Sequence, residues 1–152
     1  MESKVLNLRL DEEKNQKLDE ILDKLKENEI NISKTKFYHF SGVLGYFNDK
    51  REKLTSKTVD ATRVEFLFRS EYIFQNMVLE SIFESQKDNL SEEIDKYRLF
   101  EEYANAGVEF LYDLFKKSND LEEFLENLEL EIYKAMEKLG INNKEVNSNE
   151  EI

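Results

Sequence analysis

The stretch KVLNLRLDEEKNQKLDEILDKLKEN, residues 4–28, changes its apolar period at Asp11, and that change governs the reading of the whole chain. Before it, Leu6, Leu8 and Leu10 alternate with Val5, Asn7 and Arg9. A period of two places alternate side chains on opposite faces of a strand. After it, Leu18, Ile21, Leu22 and Leu25 recur at i, i+3, i+4 and i+7, the spacing of an amphipathic helix. Asp11 offers an N-cap oxygen at the junction, and Glu12 and Glu13 suit the positive end of a helix dipole. A helix is therefore expected from Asp11 to about Asn28.

Outward from this unit, ENEINIS (residues 27–33) reads as a turn in which Asn28 or Asn31 takes the left-handed conformation. Ser33 is placed to cap a second helix whose buried stripe is Phe37, Phe40, Leu44 and Phe47. Gly42 and Gly45 inside that helix each cost about 1 kcal/mol relative to alanine, which points to close backbone packing, the simpler alternative being a surface that tolerates a poor helix former. KREKLTSK (residues 50–57) is a polar, basic joint and reads as a soluble linker. Three more helices are expected beyond it. The first runs from about Asp60 to Gln86, and the second from near Ser91 with Tyr97, Phe100, Tyr103, Ala104, Val108, Leu111 and Phe115. The third follows the capping pattern of Asn119, Asp120 and Glu123, presents Leu121, Phe124, Leu125, Leu128, Ile132, Met136 and Leu139, and stops at Gly140. Residues 141–152 are polar and read as a disordered tail.

The resulting organisation is mainly α. Residues 1–50 hold one strand and two helices, 51–59 a basic linker, 60–140 an acidic all-α domain of about three helices, and 141–152 the tail. The chain has 152 residues, 39% hydrophobic and 37% charged, with no proline and a net charge of -12. That charge is uneven: residues 1–57 hold 12 basic and 11 acidic side chains, leaving 10 and 23 for the remainder. Two parts so different in charge are expected to face different partners. There is no cysteine, which excludes disulfides, thiolate metal sites and thiol nucleophiles. No window approaches 18 apolar residues and no signal peptide is legible, so a cytoplasmic protein without a membrane partner is expected.

A lone strand with unpaired edges and three leucines to hide needs a partner strand, and the same strand of a second copy supplies one about a two-fold axis. One strand followed by two amphipathic helices resembles the ribbon-helix-helix family of DNA-binding proteins, the family of the Arc and MetJ repressors. VLNLRL is similar to that family's strand, and SKTKFYHFSGVLGYF to its second helix. The resemblance covers about residues 4–48. It implies a homodimer bound to double-stranded DNA, with Val5, Asn7 and Arg9 meeting base edges in the major groove. It further implies phosphate contacts from Ser33, Lys34 and Lys36 at the second helix's N-terminus, and from Lys4 at the start of the strand. The dimer core it implies is Leu6, Leu8, Leu10, Phe37, Phe40 and Leu44.

Other features have simpler readings. His39 is the only histidine; it reads as a surface or phosphate-facing residue, and a multi-histidine metal site is excluded. Adjacent carboxylates such as Glu92/Glu93, Glu101/Glu102 and Glu122/Glu123 read as solvated helix faces, and the dense aromatics as core or oligomer interface. No catalytic residue, metal site or cofactor motif is legible. The function expected is that of a sequence-specific DNA-binding homodimer, a repressor or a plasmid or phage maintenance or transfer factor, whose acidic domain assembles copies or recruits a second protein. The alternatives are an antitoxin and a helical protein-interaction module that does not bind DNA.

Overall fold

The computed structural model describes residues 7–63, residue 84 and residues 93–138. Its elements are β1 (Asn7–Asp11), α1 (Glu12–Glu27), α2 (Lys34–Phe47), β2 (Thr58–Arg63), α3 (Glu93–Lys117) and α4 (Leu121–Lys138). Among the described residues the protein is mainly helical with one small two-stranded sheet. Lys4, Val5, Leu6, most of the helix expected over 60–86, Gly140 and the tail lie outside the described residues.

The period change at Asp11 is realised as the residues dictate. Leu8 and Leu10 are buried while Asn7 and Arg9 are half-exposed, and α1 buries Leu18, Ile21 and Leu25 on one stripe. The partner of β1 differs from the second copy expected. β1 pairs antiparallel with β2 of the same chain, from Asn7 opposite Arg63 to Asp11 opposite Thr58. Between Leu8 and Arg9 the register shifts, so Ala61 is the extra residue of a bulge. The segment that supplies β2 includes Asp60 to Arg63, which had read as the start of a helix. Thr58, Val59 and Thr62 carry the β-branched side chains that favour a strand.

The other edge of β1 is closed by side chains of the helices beneath it. Glu101 of α3 accepts from the Arg9 N–H at 2.9 Å, Asn105 Oδ1 accepts from the Asp11 N–H at 3.0 Å, and the Tyr38 hydroxyl of α2 donates to the Arg9 carbonyl at 3.1 Å. An edge strand normally leaves such groups to water or to another strand; here they are satisfied within one chain.

Both helices of the N-terminal unit end alike. After α1, the Glu29 N–H donates to the Lys26 carbonyl and the Ile30 N–H to the Leu25 carbonyl; after α2, Asp49 and Lys50 do the same to Tyr46 and Gly45. These are Schellman ends. Their left-handed residues are Glu29 (φ 63°), where Asn28 or Asn31 was expected, and Asp49 (φ 52°). Asn28 and Asn48 precede them and use their side-chain amides to reach the Lys24 and Leu44 carbonyls one turn back. Ser33 caps α2 as its position predicts, accepting from the Lys36 N–H. Asp120 likewise caps α4, accepting from Glu123 N–H at 2.9 Å.

Helix α2 is buried nearly all round, with Phe37, Tyr38, His39, Ser41, Gly42, Val43, Leu44 and Gly45 all covered. Its main neighbour is α3. Gly45 of α2 and Gly107 of α3 let the helices meet backbone to backbone, while Gly42 makes room for the ring of Phe100. A Cβ on Gly45 would lie 2.9 Å from the Tyr103 carbonyl carbon, and one on Gly107 2.5 Å from the Ser41 carbonyl carbon. The aromatic and aliphatic side chains of β1, α1, α2, α3 and α4 then share one core, from Leu8 and Leu25 through Phe37 and Phe100 to Phe124 and Leu128. Residues 48–57 run between α2 and β2. They are exposed for the most part, yet tied down by Glu52 N–H to the Glu102 carbonyl and by Thr55 to Asp11.

His39 is fully buried, its ring 6.4 Å from that of Phe100, and not at the surface as expected. The side of α2 that carries His39 is covered by α3. Burial lowers the His39 pKa from 6.5 to about 4. The folded state thus holds the neutral ring, while the unfolded chain takes up a proton below 6.5. This contribution to stability is complete above pH 6.5 and is lost as pH falls towards 4, about 3 kcal/mol in all. Urea midpoints for wild type should drop between pH 7 and 5, whereas His39→Gln should be flatter over that window. A variant with the same slope as wild type would exclude His39 as the cause.

Candidate functional site: a polar seam along α3

On α3, Glu101, Asn105, Glu109, Tyr112 and Lys116 recur at steps of three and four and so form one stripe. β1 and α1 run alongside in the same direction, and partners along the seam are separated by a nearly constant 92 to 96 residues. Arg9 meets Glu101, Asp11 meets Asn105, Lys14 and Lys17 meet Glu109, and Glu20 meets Tyr112 and Lys116.

At the closed end, the Glu101 side chain is only 1% exposed. It takes both Arg9 Nε and Nη2, at 3.1 and 3.0 Å, and Arg98 Nη1 at 2.6 Å, besides the Arg9 N–H. Such charge-assisted, forked pairing is among the stronger polar contacts available. The hydrogen bond to Glu101 holds the Arg9 pKa above its ordinary value. In the middle, the Asp11 carboxylate does not cap α1. It takes the Thr55 N–H at 2.7 Å and the Asn105 amide at 3.0 Å, and Asn105, fully buried, also donates to the Glu52 carbonyl. Further along, burial pushes the Glu109 carboxyl up, but the hydrogen bonds from Lys14 and Lys17 outweigh this and hold it below its usual range. At the open end, Lys116 and Tyr112 lower the Glu20 pKa at the surface.

The residues expected to touch DNA fall in different settings. Asn7 donates to the Asp60 carboxylate of β2 at 3.2 Å, and Arg9 is engaged by Glu101. Lys34 pairs with Asp19 of α1 at 3.0 Å; Ser33 and Lys36 are exposed at the first turn of α2. That turn sits beside β2, with the Thr35 and Thr62 hydroxyls 2.6 Å apart. Val5 and Lys4 lie outside the described residues. Of the expected dimer core, Leu8, Leu10, Phe37 and Leu44 are buried against their own chain, Phe40 is half-buried, and Leu6 lies outside the described residues.

The seam escaped the sequence reading because Glu101 reads as one of a solvated pair with Glu102. In the fold the two separate: Glu101 is buried, and Glu102 pairs with Arg51 at 3.3 Å on the outside. The available signal was a polar stripe recurring down an otherwise apolar helix. No group of three or more His, Asp or Glu side chains among the described residues is placed to hold a metal ion, and no described helix is long and apolar enough to cross a membrane.

Fold and seam together define a class: a mainly α protein in which a small sheet and four described helices share one core and buried ionisable groups neutralise one another. The chain belongs to the family described as DNA sulphur modification system-associated protein 4, whose model matches residues 8–148. No curated protein and no solved structure matches it.

Proposed function

We propose that this chain is a non-catalytic accessory subunit of a DNA sulphur modification system, acting through contact with another protein of that system. The observation that carries the reading is that a chain of this family contains no cysteine. Passing sulphur as a persulfide, or holding an iron–sulphur cluster on cysteine, requires thiolates, so this chain assists sulphur chemistry done elsewhere. The seam adds support, since its charges are spent on one another and not presented to a substrate. The test is to purify the chain and every other protein of its modification system and to look for a stable complex by size-exclusion chromatography. One such complex supports the reading. Failure to bind any of them, or sulphur incorporation into DNA by this chain alone, overturns it.

A second reading is the DNA-binding homodimer implied by the ribbon-helix-helix resemblance, acting as a regulator. The DNA context of the family and the exposed Lys36 at the start of α2 favour it. Arg9→Ala separates the two. As a base reader, Arg9 would contribute roughly 1–3 kcal/mol to binding one DNA sequence over others. As a partner of Glu101, its loss lowers stability by about 1 kcal/mol and leaves DNA selection from a random pool unchanged. The second outcome is expected.

A further inference from the structure

Helix α4 turns Phe124, Leu128 and Ala135 inward, with Leu121, Leu125 and Ile132 half-buried beside them. Its opposite side should be polar, yet Leu130 and Tyr133 stand there 57% and 41% exposed, the large apolar side chains left uncovered among the described residues. They lie three positions apart, on one face, outside the apolar stripe that anchors the helix. Isolated exposed apolar residues need no explanation; this pair has a charged setting. One turn away from them lie Glu126, Glu129 and Glu137, all exposed, while the nearby Lys134 is taken up by Glu131 at 3.4 Å. Beside the face, a cleft of about 310 Å³ opens between α4 and the end of α2, with Phe47 and Asn48 on its far wall.

We infer that this face of α4 docks on a protein partner that presents an apolar groove rimmed by lysine or arginine, with Leu130 and Tyr133 as the inserted anchors. This rests on the proposed accessory role and names its surface. Apolar anchors at i and i+3 are how an amphipathic helix enters a groove, and the carboxylate rim selects a partner of opposite charge. The same rim argues against the other occupants. A second copy docked face to face would set glutamates against glutamates about a two-fold axis. DNA and anionic lipid headgroups would be repelled by it.

The test uses the full chain and the purified proteins of its modification system, with a DNA duplex as a further arm. One double variant, Leu130→Gln with Tyr133→Gln, removes the anchors; a triple variant, Glu126→Lys, Glu129→Lys and Glu137→Lys, reverses the rim. Asp23→Lys on the exposed face of α1 is the control, and circular dichroism melts show whether each variant folds. The expected result is a complex with one system protein that weakens about tenfold or more in both α4 variants and is unchanged in the control. A complex indifferent to both variants would remove the docking surface but leave the accessory role standing. No complex with any system protein would remove both. Loss of self-association or of duplex binding in the double variant would assign the face to a second copy or to DNA, and so overturn the proposal.

Discussion

Gly107→Ala should destabilise the protein by about 3 kcal/mol, although alanine is the better helix former by about 1 kcal/mol. The sign is set by position. Gly107 lies in the middle of α3 where it crosses α2, and an added Cβ would overlap the Ser41 carbonyl, which is main chain and cannot rotate away. Ser41 is itself held in α2, its hydroxyl donating to the Phe37 carbonyl at 2.8 Å. Relief requires the two helices to separate, which loosens Phe37, Tyr38, Leu44 and Phe100 together. Gly45→Ala meets the Tyr103 carbonyl and should behave alike. For Gly42→Ala the three nearest atoms all belong to the ring of Phe100, side chain and not main chain, and the substitution should cost less. Urea denaturation of the three variants checks the ranking. A stabilised Gly107→Ala would mean that the helices do not approach this closely.

Glu101→Leu should cost about 3 kcal/mol. The substitution is close in size and apolar, but it strands donors on one side of β1: the Arg9 N–H, the Arg9 fork and Arg98 all lose their acceptor. Both arginine side chains are 36% exposed and recover some hydration, which keeps the cost at the low end of the range for breaking a buried ion pair. Their unpaired N–H groups remain penalised where they are covered. Glu101→Gln retains one carbonyl oxygen for the strand and should lose less than half as much. Thermal melts of the two variants test this order, and hydrogen exchange should show the Arg9 amide losing protection in Glu101→Leu. Equal, small losses would mean that the seam contributes little and that the β1–β2 pairing suffices.

Local chemistry was legible from the residues alone. The shift of period at Asp11, the Ser33 and Asp120 caps and the apolar stripes of α1 and α4 all depend on neighbours within a turn or two. Hydrogen-bond geometry and side-chain periodicity act over that range. The charge imbalance and the lack of cysteine, which bound the chemistry open to the chain, are likewise properties of the sequence.

What strand β1 pairs with was a different matter. Its alternation demands a partner but does not specify one, since backbone groups carry no label. Only the fold brings Thr58–Arg63 to one edge and Glu101, Asn105 and Tyr38 to the other. The same is true of Arg9 and Glu101, 92 positions apart, and of His39, buried because α3 covers the side of α2 that its own helix left open. A polar side chain reads as solvated until some distant segment is known to cover it. Tertiary structure therefore decided which carboxylates are internal, which strand edge is closed and which apolar side chains, Leu130 and Tyr133, are left facing outward.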